Sequence, residues 1–185
     1  MTITKHPGQR VAVFIDTQNL YHSAKNLYHA RVNFGSILKD VVADRELVRA
    51  FAYLVTTETG EEKAFLEALT KMGIELRLKD LQVFSSGAKK ADWDVGLAVD
   101  AIQIAPKVDA IVIVSGDGDF IPLVEYLQAL GVQVEVASFG KSSSGKLKEV
   151  VDDFIDLSDN IRKYLIRAGG GLSRPGGGRP RPVKK

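Results

Sequence analysis

The chain has no cysteine among its 185 residues, which excludes disulfides, thiolate zinc sites and a cysteine nucleophile and agrees with a reducing compartment. No apolar run reaches the roughly 20 residues that cross a bilayer, and Met1 to Arg10 lacks the hydrophobic segment of a signal peptide. The expectation is a soluble, cytoplasmic protein with no membrane partner. His6, His22 and His29 match no metal-ligand spacing, and the last two, seven apart on one helical face, read as solvated. The serine-rich stretch Ser138 to Lys146 lacks the Gly-x-x-x-x-Gly-Lys-Ser/Thr spacing of a phosphate-binding loop and does not follow the first strand. It reads as a flexible loop, with a phosphate contact through Lys141 as the sharper alternative.

Acids are absent from one end. Residues 168–185 (AGGGLSRPGGGRPRPVKK) carry five basic side chains and no acid, so of the net charge of +2 the preceding part holds −3, that is +2 less five. Rich in glycine and proline and poor in large apolar groups, this tail cannot offset its ordering entropy and is expected to be disordered. It is either a solubilising terminus or an arm that attracts phosphate backbones. The expected organisation is an N-terminal extension over 1–10, one domain over 11–167 and the basic tail over 168–185.

What is present is an alternation of apolar and amphipathic segments, a βαβ rhythm. Val11 to Ile15 and Ile111 to Val114 are continuous apolar runs, as expected of central parallel strands covered on both faces. Leu47 to Val55 is mostly apolar. Ile74 to Lys79 and Val132 to Val136 alternate and are expected at the sheet edges. Helices are expected over Asn19–Tyr28, Phe34–Val42, Glu61–Met72, Asp94–Ala105 and Phe120–Leu130, several ended by glycine or proline. With strands numbered in chain order, right-handed crossovers give a parallel sheet of order 3-2-1-4-5 in an α/β fold. Strands one and four are then neighbours at the point where strand order reverses, which is where open α/β sheets bind ligands.

That point collects acids. Asp16 ends the first strand, Asp117 and Asp119 follow the fourth, and Asp92 and Asp94 begin the helix that feeds it. Asn19, three residues past Asp16, adds an amide that can orient a water or phosphate. Each has a plainer role: Asp92 and Asp119 as helix N-caps, Asp16 as a turn residue, Asn19 as a first-turn polar residue. Their convergence favours a cation site, because clustered carboxylates repel one another unless a divalent ion or shared protons intervene. Trp93 is either a base-stacking ring or, the favoured reading, packed on the sheet. Asp100 is expected in a salt bridge. Lys89 and Lys90 are candidate phosphate contacts.

Phe14-Ile15-Asp16-Thr17-Gln18-Asn19-Leu20, Lys90 to Asp100 and Val114-Ser115-Gly116-Asp117-Gly118-Asp119-Phe120-Ile121-Pro122-Leu123-Val124 resemble the motifs of NYN domains, the LabA-like branch of the PIN-like nuclease superfamily. The likeness spans about Val11 to Leu157, with the motifs in that family's order. It implies a PIN-like three-layer α/β/α sandwich and a divalent-metal site that cleaves RNA. Carried over, Asp16, Asp94, Asp117 and Asp119 form the acidic set, Asn19 and Asp92 assist, and Asn19, Lys90, Ser115 and Lys141 are candidate substrate contacts. Hard oxygen ligands suit Mg²⁺ or Mn²⁺. Single-stranded RNA is the expected substrate, with a protein partner or a second copy also compatible. Two other readings stay open: a non-catalytic regulator that binds metal, nucleotide or protein through the same pocket, and a phosphatase, although Asp16-Thr17-Gln18-Asn19 lacks the second aspartate of an Asp-x-Asp nucleophile motif.

Overall fold

The structure, a computed structural model, describes residues 3–56, 60–80, 82–83, 89–90 and 92–166, with only the backbone at 60–62, 80, 82–83 and 89–90. Six parallel strands form the central sheet: β1 (Arg10–Asp16), β2 (Glu46–Thr56), β3 (Glu75–Asp80), β4 (Ala110–Val114), β5 (Gln133–Ser138) and β6 (Asp153–Asp156). Their order is β3-β2-β1-β4-β5-β6. The five expected strands therefore lie in the expected order, and β6 extends the sheet beyond the fifth.

The seven helices among the described residues are α1 (Thr17–Tyr28), α2 (Phe34–Val42), α3 (Gly60–Lys71), α4 (Asp94–Ile104), α5 (Ile121–Ala129), α6 (Gly145–Val150) and α7 (Ile161–Tyr164). Alternation along β1 shows how they are layered. Val11, Val13 and Ile15 pack with Leu20 and Ala24 of α1, Ile37 and Val41 of α2 and Leu69 of α3. Ala12 and Phe14 face the other way, against Leu97 and Ala101 of α4, Val124 and Leu127 of α5 and Leu147 of α6. A strand with both faces covered must be apolar throughout, and Val11 to Ile15 are fully buried. This is the α/β/α sandwich.

β5 corrects an expectation. Its Gln-Val-Glu-Val alternation suggested an edge, yet it is interior, and Glu135 is fully buried. Arg45, itself buried, meets both oxygens of Glu135, and the Lys5 ammonium lies 2.9 Å away. A buried carboxylate is tolerated because cations and hydrogen bonds surround it, and such long-range partners leave no mark on local periodicity. β6 was invisible for a related reason. Its Asp-Phe-Ile-Asp has no β-branched run and every residue is only half-buried. Two short antiparallel pairs, Arg31–Val32 with Leu165–Ile166 and Gln82–Val83 with Lys89–Lys90, lie apart from the main sheet. No helix among the described residues is long and apolar enough to cross a membrane.

Candidate metal centre

β1 runs into α1 without a loop, so Asp16 is at once the last strand residue and the N-cap of α1. Its Oδ1 accepts the Asn19 backbone N–H at 3.1 Å and its Oδ2 accepts the Ser115 hydroxyl at 3.0 Å. One strand over, Ser115 Oγ accepts the Asp117 N–H at 3.3 Å, while Asn19 Oδ1 accepts the Gly116 N–H at 3.0 Å. These four bonds tie the carboxyl ends of β1 and β4 together. Asp117 Oδ1 accepts the Asp119 N–H at 3.0 Å and so caps the 3₁₀ turn Gly118–Phe120.

The caps fall on different residues from those expected. Asp92 does not cap α4, whose N-cap is Trp93 with no capping side-chain bond, and Asp119 lies inside its turn. Asp16 and Asp117 do the capping, because Asp16 ends β1, Asp117 lies shortly after β4, and both backbones are extended where the turns begin. Capping uses one oxygen of each carboxylate and leaves the other facing elsewhere, so cap and site residue are compatible roles.

Asp16, Asp92, Asp94, Asp117 and Asn19 line one cavity of about 170 Å³ with Gln18 and Trp93. Burial pushes the Asp16 carboxyl above its ordinary range, and Asp117 repulsion adds to this, while the Asn19 and Ser115 bonds pull the other way. Asp94 is pushed up by burial first and then by the charges of Asp16, Asp117, Asp92 and Asp119. Its carboxylate has no hydrogen bond or ion pair among the described residues. All five acids are thus felt at one point.

Asp94, Asp117 and Asp119 each offer a carboxylate oxygen within 4.8 Å of the other two. An octahedral ion with bonds of about 2.0–2.1 Å holds neighbouring ligand oxygens about 3 Å apart and opposite ones about 4 Å apart. The three therefore fit a small hard cation after a slight contraction, with water completing the shell. Asp16 lines the same cavity but stands outside this triad.

The remaining candidates divide. Ser115, an expected substrate contact, is fully buried, and its hydroxyl donates to Asp16 and accepts the Asp117 N–H. Lys141 is exposed on the turn Gly140–Ser142 and does not line the acidic cavity. Lys90 lies in a two-residue strand, and its side chain is outside the described residues. Trp93 packs: its Nε1–H donates to the Leu54 carbonyl at 2.8 Å and its ring meets Tyr53 edge-on. Asp100 bonds Arg77 and the Tyr53 hydroxyl, both at 2.9 Å, the expected salt bridge. The serine stretch is built rather than loose. Ser142 bonds Ser23, Ser143 bonds the Phe139 carbonyl, and Ser144 caps α6. Sequence reasoning passed over Gln18, whose place between Asp16 and Asn19 at a strand end was the available signal.

The NYN domain family profile matches residues 10–159. The chain is 29% identical over 167 residues to the Low amplitude and bright protein LabA of Synechococcus elongatus, covering 84% of this chain and 87% of that one. It is 25% identical to an uncharacterised protein of Methanocaldococcus jannaschii, spanning 85% of this chain and 60% of that longer protein. A crystal structure of a protein of unknown function from Vibrio parahaemolyticus superposes with a TM-score of 0.80 at 31% identity, covering 89% of this chain and all of the other.

Proposed function

Because the chain belongs to the NYN domain family, within the PIN-like nuclease superfamily, we propose that it is a divalent-metal-dependent ribonuclease that hydrolyses phosphodiester bonds of single-stranded RNA. The observation that carries the reading is the approach of Asp94, Asp117 and Asp119 within 4.8 Å of one another, with Asp94 and Asp117 lining a cavity that Asp16 and Asp92 also line. Such a set serves an anionic substrate only with a cation present, and its all-oxygen donors suit Mg²⁺ or Mn²⁺.

When bound, the ion supplies an acidified water and shields charge on the phosphate. Asp94, Asp117 and Asp119 hold it, and Asp16, fixed by Ser115 and the start of α1, sets the second wall of the cavity. Asp94, whose carboxylate makes no hydrogen bond among the described residues, would accept the proton of the attacking water through an oxygen not used to hold the ion. Asn19 spends its Oδ1 on Gly116, which fixes the amide and leaves its N–H groups for a phosphate oxygen. An open cleft with no helix among the described residues poised to enter a groove suits a flexible single strand.

The test is cleavage of end-labelled single-stranded RNA with Mn²⁺, Mg²⁺ or EDTA, wild type beside Asp117→Asn. Asparagine keeps the oxygen that caps the Gly118–Phe120 turn and removes the charge. Cleavage is expected only with metal and at least about 100-fold slower in the variant. No cleavage by folded wild-type protein under any metal would overturn the nuclease reading and turn the cavity to a regulatory binding role.

A further inference from the structure

Gln18 lines two spaces: the acidic cavity on one side and, on the other, a groove of about 530 Å³ between α1 and α3 above the end of β2. The groove differs in character from its neighbour. Its walls carry Tyr21, Phe34 and Phe65, of which Tyr21 is 47% and Phe65 37% exposed. Its basic lining side chains among the described residues are Arg31 and His22, with no acid. Arg31 has no ion-pair partner among the described residues, and the Lys25 ammonium stands 5.6 Å from the Tyr21 ring centroid.

We propose that this groove is the nucleotide-binding subsite of the strand cleaved next door: a base stacks on Tyr21 and Phe65 while Arg31 meets the adjoining phosphate. The proposal rests on the nuclease reading and adds where the strand lies. Three observations carry it. Gln18, which lines both, sets the groove directly beside the acids, so a strand that passes over Gln18 reaches both. Its volume falls in the range of small-ligand sites and holds a base with its sugar. Aromatic faces with a lone cation are what a base and its phosphate need, and they bind any base because every base has a π-face. Stacking therefore supplies affinity that the acidic cavity, repelling phosphate, cannot.

The chain's own terminus is the competing occupant, since Ile166 lines the groove and residues 167–185 continue from there. Those residues bring six basic side chains to a groove already holding Arg31, and only Leu172 and Val183 as large aliphatic groups to fill it. Like charge and scant apolar surface disfavour them inside.

The experiment measures fluorescence anisotropy of a labelled nine-uridine RNA and of an abasic strand of equal length, in an Asp117→Asn background that keeps the strand whole. Tyr21→Ala is expected to weaken uridine binding about 5- to 100-fold and to leave the abasic strand unaffected. Phe65→Ala should act in the same direction, and Arg31→Ala should lower the salt slope by about 0.7. In otherwise wild-type protein Tyr21→Ala should raise KM with kcat within about twofold. Equal uridine affinity with and without Tyr21, equal losses for both strands, or tighter binding once residues 168–185 are removed overturns the assignment. Cleavage by wild type is scored separately, so the nuclease reading can outlive the groove.

Discussion

Asp94 carries a clear charge conflict: half-buried, without a hydrogen bond among the described residues, and near four other aspartates. A carboxyl whose folded-state pKa is raised adds stability that is complete below its unfolded value near 3.9 and is lost as pH rises through the folded value. At neutral pH the metal-free protein therefore bears the cost of holding Asp94 charged, from burial first and the neighbouring acids second, and, by the same sign, that of half-buried Asp16. Asp94→Asn removes one share of it. In EDTA at pH 7 the variant is expected to melt above wild type, by less than about 1 kcal/mol because water screens the half-exposed group. Below about pH 4 the two should converge. Metal reverses the order: an ion at a hundred times its Kd adds about 2.7 kcal/mol to wild type and little to the variant. Thermal melts across pH, with and without Mn²⁺, check both signs. A variant that melts lower than wild type in EDTA would mean the carboxylate is not under repulsion.

At the scale of elements, the acids' convergence was legible because strand order alone brings residues 16 and 117 side by side. The packing that holds them there was not. Gly116 sits where an added Cβ would lie 2.7 Å from Ser138 Oγ, 2.8 Å from Ser143 Oγ and 3.0 Å from Ser143 Cα. Its carbonyl accepts the Ser144 N–H at 2.9 Å, so the Ser142–Ser144 segment is clamped over the strand end that presents Asp117. A serine run looks like a loop when its partners, Ser23 and Gly116, are distant in the chain. The N-cap signal of Ser144 ahead of Gly145-Lys146-Leu147 was the one local hint of α6. Gly116→Ala forces backbone to move and is expected to cost about 1–3 kcal/mol and to abolish stabilisation by Mn²⁺. Gly145→Ala, with nothing within 4 Å of the added carbon and a place in the first turn of α6, should be neutral or stabilising by up to about 1 kcal/mol. Urea unfolding of the pair separates a specific clash from a general intolerance of the segment; equal losses would remove the clamp.

At the scale of the whole chain, acids gather where β1 and β4 end, while residues 167–185, which follow the groove residue Ile166 in sequence, carry six basic side chains and no acid. The sheet order followed from crossover handedness and apolar patterning, which act over the whole chain. The ion pair of Arg45 and Glu135, ninety residues apart, did not, because pairing of buried charges is a tertiary fact with no period. The tail lies outside the described residues, so its role rests on composition and attachment. A cleft that must take an anionic strand into an acidic cavity needs cations outside it, and residues 168–185 supply five. If all five meet phosphates, each releases about 0.7 of a counterion from single-stranded RNA, and removing 168–185 should lower the slope of log affinity against log salt by about 3 to 4. The melting temperature should not change, since the tail lies beyond the family match at 10–159. The kcat at saturating RNA should also hold, because non-specific phosphate contacts bind ground and transition states alike. Anisotropy titrations from 50 to 300 mM salt decide the matter: an unchanged slope makes the tail a bystander, and a changed kcat with an unchanged slope places it at the reacting phosphate instead.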